Sequence, residues 1–284
     1  MSIRTDLAVE ARELTKGEAE EIDGVKADTH QEENLSVTTV EILNEKGQKA
    51  LGKAIGKYIT IEVPDIKYSR EAYESACKML SRQIKSLYPV NKNTLTLVVG
   101  LGNEDITPDS LGTKTVSRIM VTHHMKKFAP EVFDESVSSV CAIAPGVMGT
   151  TGMESSQVIK CIADGLNPDL IIVVDALAAA DYSRIGITIQ LSNAGIQPGA
   201  GVGNNRSELS QKSLGIPVLA LGVPTVVDAM SLTKNKTDKS IEPYVVTPRD
   251  IDNIIKRCAM TISGGINLAL QDSMTLSDIE EYVG

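Results

Sequence analysis

Two carboxylates stand where a buried strand gives way to a turn. The apolar run Leu95 to Val99 ends at Gly100-Leu101-Gly102, and Asn103, Glu104, Asp105 and Asp109 follow. A second run, Leu170 to Val174, ends directly on Asp175, with Ala176-Leu177-Ala178-Ala179-Ala180-Asp181 after it. In open α/β sheets ligands bind just past the carboxyl ends of the strands. If the two strands are parallel neighbours, about 4.8 Å apart, Asp109 and Asp175 share one site. Two acids holding one proton between them can hydrolyse: the ionised member draws a proton from water, and the protonated member donates to a carbonyl oxygen or a leaving amine. Each acid also has a plainer reading. Thr107-Pro108-Asp109-Ser110 has the form of a helix start, with Thr107 as N-cap and Pro108 at the first helical position. An acid in that first turn is favoured by the helix dipole by about 0.3 to 1 kcal/mol. Asp175, between Val174 and Ala176, must lose its hydration unless it caps a turn or lines a cleft. Residue types and spacing alone do not choose a peptide over other substrates.

Other chemistries find less material. There is no GxSxG and no HExxH. His123 and His124 are adjacent, so on a helix they point apart, and His30 lies in a polar stretch. Gly100-x-Gly102 lacks the third glycine of a dinucleotide fingerprint, and no Walker A sequence occurs. The glycine-rich stretch Gly195 to Arg206 suits either close backbone approach to a ligand or a plain flexible loop. Net charge −9 opposes binding to a phosphate backbone, and no Trp with two Phe leaves little for base stacking, so no direct nucleic-acid partner is expected. The start, MSIRTDLAVEARE, has no signal-peptide core, and no apolar stretch reaches 18 residues. A cytoplasmic protein without a membrane partner is expected. Cys77, Cys141, Cys161 and Cys258 form no CxxC and read as reduced, buried thiols.

The elements that must position the acids alternate. Helix Ser69 to the residue before Pro89, strand Leu95 to Val99, helix Ser110 to about Lys127, strand Ser138 to Ala144, helix Glu154 to Asp164 and strand Leu170 to Val174 follow in turn. Further strands are predicted at Gly186 to Leu191 and Pro217 to Gly222, and a last helix begins after Thr247. This is the sequence form of a three-layer α/β fold, a mainly parallel sheet with helices on both faces. Upstream, strands are predicted at Leu35 to Leu43 and Tyr58 to Val63, with a short helix from Gln48 to Gly56. Leu14 to Asn34 is polar and reads as loosely held, and Ser231 to Pro243 as an exposed loop. At 284 residues the chain reads as one domain: an amino-terminal elaboration over 7–90, and the central sheet with carboxyl-terminal helices over 91–284.

Several blocks, in order, resemble one family. Ser2 to Ala11, Val99-Gly100-Leu101-Gly102-Asn103 with Thr107 to Gly112, Ala144 to Gly152, Asp175-Ala176-Leu177-Ala178-Ala179 and the glycine-rich loop are similar to the germination protease of endospore-forming bacteria. The resemblance runs from Ser2 to about Ala229. It implies an atypical aspartic endopeptidase, with a fold similar to the hydrogenase maturation proteases, that starts degrading small acid-soluble spore proteins at germination. It maps the catalytic pair onto Asp109 and Asp175; no cofactor is expected, and the sequence itself offers no evident set of metal ligands. It further implies a homotetramer in the forespore or spore core, made as a self-processing zymogen. The family cut follows an acid and precedes a hydrophobic residue and Ala; Asp6, Leu7 and Ala8 match, so residues 1–6 are the expected propeptide. Ile3 stands where the family favours an acid four places before the cut, which predicts slower or condition-dependent processing. Specificity for acids calls for a cation, with Lys114, Arg118, Arg184 and Arg206 as candidates. Two rival readings are a metal-assisted peptidase of the maturation-protease type and a non-catalytic phosphate or nucleotide binder using glycine-rich loops and helix starts.

Overall fold

Segments that carry no charge over five or six positions become the centre of the sheet, because both of their faces can be covered. The structure, a computed structural model, describes residues 5–16, 21–129, 131, 137–202, 206–232 and 244–283. Strands β1 (Val25–Glu32), β2 (Leu35–Ile42), β3 (Gly56–Glu62), β4 (Leu95–Gly100), β5 (Ser139–Ile143), β6 (Leu170–Ala179), β7 (Thr188–Ser192) and β8 (Val218–Asp228) form one sheet in the order β1-β2-β3-β7-β8-β6-β4-β5. β9 (Val245–Val246) pairs with β8. β8, β6, β4 and β5 run parallel. β7 is antiparallel to both β8 and β3, and β1 to β3 continue the sheet as an antiparallel flank. The fold is α/β, as the alternation of elements predicts.

Alternation along the strands divides the core in two. Val98, Ile172 and Val174 face a layer that includes α3 (Arg70–Leu87) and α9 (Ile251–Leu270), where Met79, Leu80, Ile84, Ile254, Ile255 and Ile262 are buried with them. Leu97, Val99, Ile171 and Val173 face α7 (Ser155–Leu166), which follows the single turn α6 (Met148–Thr151), through Ile159 and Ala163, with Leu209 and, on α8 (Gln211–Leu214), Leu214 beside them. Each such side chain contributes about 1.5 to 3 kcal/mol by leaving water. The face of β2 and β3 distal to α3 is covered by α1 (Ala8–Lys16) and α2 (Glu45–Leu51), through Ala8, Ala11, Leu51 and Tyr58. The chain closes with α10 (Leu276–Val283) against α9.

The structure corrects several sequence expectations. Leu14 to Asn34 is not loose throughout: α1 runs to Lys16, and β1 pairs with β2 along its whole length, Val25 opposite Ile42 to Glu32 opposite Leu35. The helix expected from Ser110 to Lys127 is two helices, α4 (Leu111–Val116) and α5 (His123–Phe128). The break comes where Thr122 leaves the helical path to bond β5: its hydroxyl donates to Ser138 O and accepts from Val140 N. Thr107–Asp109 is a separate 3-10 turn, with no side-chain cap, ahead of α4. β8 continues past Gly222 to Asp228. Cys161 is exposed, whereas Cys77 and Cys258 are buried. The predicted loop Ser231 to Pro243 lies outside the described residues beyond Leu232, as do Ile3 and Gly203 to Asn205.

Candidate active site

Asp175 is not at the end of its strand but in its middle, and β4 is what ends. The parallel pairing of β4 with β6 stops at Gly100 opposite Val174, continued by one further bond from Leu101 N to Val174 O at 2.8 Å. Gly102 then turns the chain away with φ +104, a conformation glycine adopts without strain; a Cβ there would lie 1.8 Å from Asp109 O. Asp175, the next residue of β6, therefore keeps Gly222 of β8 as its neighbour on one side and is left open where β4 departed. It is 6 % exposed, and one carboxylate oxygen accepts from Ala176 N at 2.9 Å.

The departing chain returns Asp109 to that opening. Asp109 N donates to Ile106 O and Ser110 Oγ to Thr107 O, both at 2.8 Å, which closes the 3-10 turn. The Asp109 carboxylate accepts from Asn103 N at 2.8 Å, fixing it across the loop. Behind it α4 is pressed onto the strands at Gly112, where a Cβ would meet Leu101 O at 2.3 Å and Val174 O at 2.5 Å.

Two cavities, about 450 and 350 Å³, share Asp6, Asp175, Ala176, Leu177 and Gly199. Asp109 and Arg206 line the smaller; Lys53 and Gln190 line the larger. Burial, then the charges of Asp109 and Asp6, hold the Asp175 carboxyl well above the usual carboxylate range, against the pull of Ala176 N and Arg206. Burial also raises Asp109, opposed by the Asn103 amide and Arg206. Burial and its two carboxylate neighbours thus push Asp175 towards its protonated form, and burial pushes Asp109 the same way, although the titration belongs to the pair. Among the described residues no three His, Cys, Asp or Glu side chains come together as a metal site.

The segment expected to carry the self-cleavage bond lies in this cleft. Asp6 N donates to Ala178 O at 2.9 Å, and the Asp6 carboxylate accepts from Ala178 N at 2.8 Å and from Gly201 N. Burial raises the Asp6 carboxyl above its ordinary value, while those amides and Lys53 oppose the rise. The Asp6 carbonyl accepts from Gln190 Nε2 at 3.0 Å, Gln190 Oε1 accepts from Ala8 N at 2.7 Å, and Lys53 Nζ donates to Thr5 O at 2.9 Å. Leu7 is fully buried with Leu177, Ala179, Ile185 and Val227.

Of the cations named from sequence, Arg206 lines the cavity with Asp109. Lys114 is exposed on α4, and Arg118 lines a separate small cavity with Tyr73 and Asn267. Arg184 is held by Glu62 at 2.6 Å, Glu13 at 2.8 Å and Glu10 at 3.5 Å. Lys53 and Gln190 were not singled out by sequence. Gln190 had a usable signal, a lone amide in the apolar run Ile187 to Leu191, since a buried amide must find partners. Lys53 had none; it sits beside the cleft only because α2 folds back over β3.

A family model described as germination protease, peptidase A25, matches residues 3–244. A germination protease of Clostridium tetani is 42% identical over the full length of both chains, and that of Caldanaerobacter subterraneus is 43% identical over 100% of this chain and 98% of its own. That of Bacillus cereus is 45% identical over 99% of this chain and 77% of its own. Among solved structures, a [NiFe] hydrogenase maturation protease, HycI from Thermococcus kodakarensis, is similar at TM-score 0.35 and 15% identity, covering 64% of this chain and 96% of that one. The family match over most of the chain and relatives above 40% identity along its length decide the assignment: the chain belongs to the germination protease family of peptidases.

Proposed function

We propose that this spore germination endopeptidase works by an aspartate-activated water and initiates the degradation of small acid-soluble spore proteins. Asp109, ionised, takes a proton from water as the water oxygen bonds to the scissile carbonyl carbon. Asp175, protonated, gives its proton to the departing amine nitrogen as the C–N bond breaks. The observation that carries the reading is the convergence of Asp109 and Asp175 on one cavity, with burial raising both carboxyls so that the two can hold one proton between them. Residues 1–6 are then a propeptide removed by cutting Asp6–Leu7, and 7–284 is the peptidase domain. The presence of Asp6 in the same cleft supports this. Arg206, beside Asp109, is the cation assigned to steady the ionised member.

The active form is proposed as a cytoplasmic homotetramer of the spore core; no helix among the described residues is long and apolar enough to cross a membrane. Purified protein mixed with a small acid-soluble spore protein should cut it after acidic residues, and at an unchanged rate in EDTA. Loss of that rate in EDTA and recovery on adding metal would favour the metal-assisted reading; absence of cutting would reject the substrate.

A further inference from the structure

The leader contacts carry more than the presence of an acid in a cleft. Gln190 touches both sides of the Asp6–Leu7 peptide: its Nε2 donates to the Asp6 carbonyl oxygen at 3.0 Å, and its Oε1 accepts from Ala8 N at 2.7 Å. It is 8 % exposed, so these bonds form away from bulk water, and its position on β7 is fixed by pairing with β8 at Gly222, the same residue that pairs with Asp175. The Asp6 side chain is met by main-chain amides of Ala178 and Gly201 rather than by an arginine fork. Gly201 leaves just enough room: a Cβ there would lie 2.2 Å from the Asp6 carboxylate oxygen and 2.6 Å from its Cγ. Lys53 adds the nearest cation and binds the carbonyl of Thr5, one residue before.

We propose that Thr5 to Ala8 is seated as this enzyme's own substrate, with Gln190 polarising the scissile carbonyl and the Ala178 and Gly201 amides, with Lys53, forming the pocket that reads the acid before the cut. This rests on the peptidase reading above. As water adds to the Asp6 carbonyl carbon, the oxygen gains negative charge, and the Gln190 N–H already points at it; a donor placed this way is worth about 10²-fold in rate. The second Gln190 bond holds the leaving side, so one side chain fixes the peptide on both sides of the bond that breaks. A pocket of amides and one lysine selects a short carboxylate, and Gly201 excludes nothing smaller.

The test follows loss of residues 1–6 by mass spectrometry in the full-length chain, for wild type, Gln190→Leu, Gln190→Glu and Gly201→Ala, each with Asp6 or with Asp6→Gly. Gln190→Leu should slow processing about 10²-fold. Gln190→Glu, which keeps the acceptor for Ala8 N, should be equally slow where its carboxyl is ionised and regain part of the rate as pH falls and the protonated carboxyl can donate to the Asp6 carbonyl oxygen. Gly201→Ala, whose Cβ meets the Asp6 carboxylate and also Ala178 Cβ at 2.8 Å, should slow the Asp6 chain at least about tenfold and the Asp6→Gly chain by a clearly smaller factor, because only the first obstruction goes with the side chain. Thermal melting of each variant reports that Gly201→Ala folds. Wild-type rates in the Gln190 variants, or a Gly201→Ala that slows both chains alike, would overturn the inference while leaving the aspartate mechanism standing. A wild-type chain that neither sheds its leader nor cuts a peptide of residues 1–12 would remove the peptidase mechanism and this inference together.

Discussion

Asp175 buries a carboxyl beside two others, and that has a signed consequence for stability. Its folded pKa is raised by burial and by Asp109 and Asp6, so the folded state holds a proton that the unfolded chain releases near 3.8. Below 3.8 the acid is neutral in both states; as pH rises through the folded value, ionisation in the cleft removes stability. Asp175→Asn should therefore melt higher than wild type at neutral pH, with the gap closing as pH falls towards 3.8. A gap constant with pH would mean that Asp175 is ionised and satisfied. Arg184 makes the opposite point. Its three carboxylate partners include Glu10, 2 % exposed, whose oxygens also accept from Ala180 N and Asp181 N. Arg184→Met should cost about 3 kcal/mol in urea unfolding while leaving the preference for an acid before the cut unchanged; altered preference with unchanged stability would make it a substrate contact. At this scale the sequence made Asp175 legible, since a charge directly after an apolar run is conspicuous, and Asp109 only as the acid of a Thr-Pro-Asp-Ser turn beyond a buried strand. It left Gln190 visible as an amide in an apolar run but hid its partners, Asp6 and Ala8, which lie far away in the chain.

At the scale of elements, the pair exists because a loop and a short helix are pressed against strand backbone. Gly112 is the contact: its neighbours are Leu101 O, Leu101 N and Val174 O, all main chain, so added bulk has no flexible side chain to displace. Gly112→Ala should destabilise by about 1 to 3 kcal/mol and slow cleavage by moving Asp109, read from melts and initial rates together. Lost stability with an undiminished rate would detach α4 from the chemistry. β4 and β6 were readable as runs buried on both faces. β1 was not, because its side chains from Lys26 to Gln31 are exposed and its stability comes from the ladder with β2, which leaves no hydrophobic period in the sequence. The split between α4 and α5 was equally hidden, since Thr122 is diverted by partners on β5 that no local pattern announces.

Across the whole molecule, the thiols report its integrity. Burial pushes Cys77 and Cys258 up to about 12, while Cys161 is exposed on α7. Alkylation at pH 8 should label Cys161 in the native protein and reach Cys77 and Cys258 only on unfolding; early labelling of those two would mean that α3 and α9 open readily. The α/β class was legible from alternation alone, whereas the antiparallel flank that carries Gln190 beside the parallel centre was not, because strand order depends on long-range pairing. The β7–β8 ladder joins the two halves, and the leader bridges them again, bonded to Gln190 on β7 and Ala178 on β6. The most direct measurement is the intact mass of the full-length chain over time at mildly acidic pH, for wild type, Asp109→Asn and Asp175→Asn. The account predicts that wild type loses residues 1–6 and that both variants keep them while remaining folded. Leader loss in either variant at the wild-type rate would contradict it.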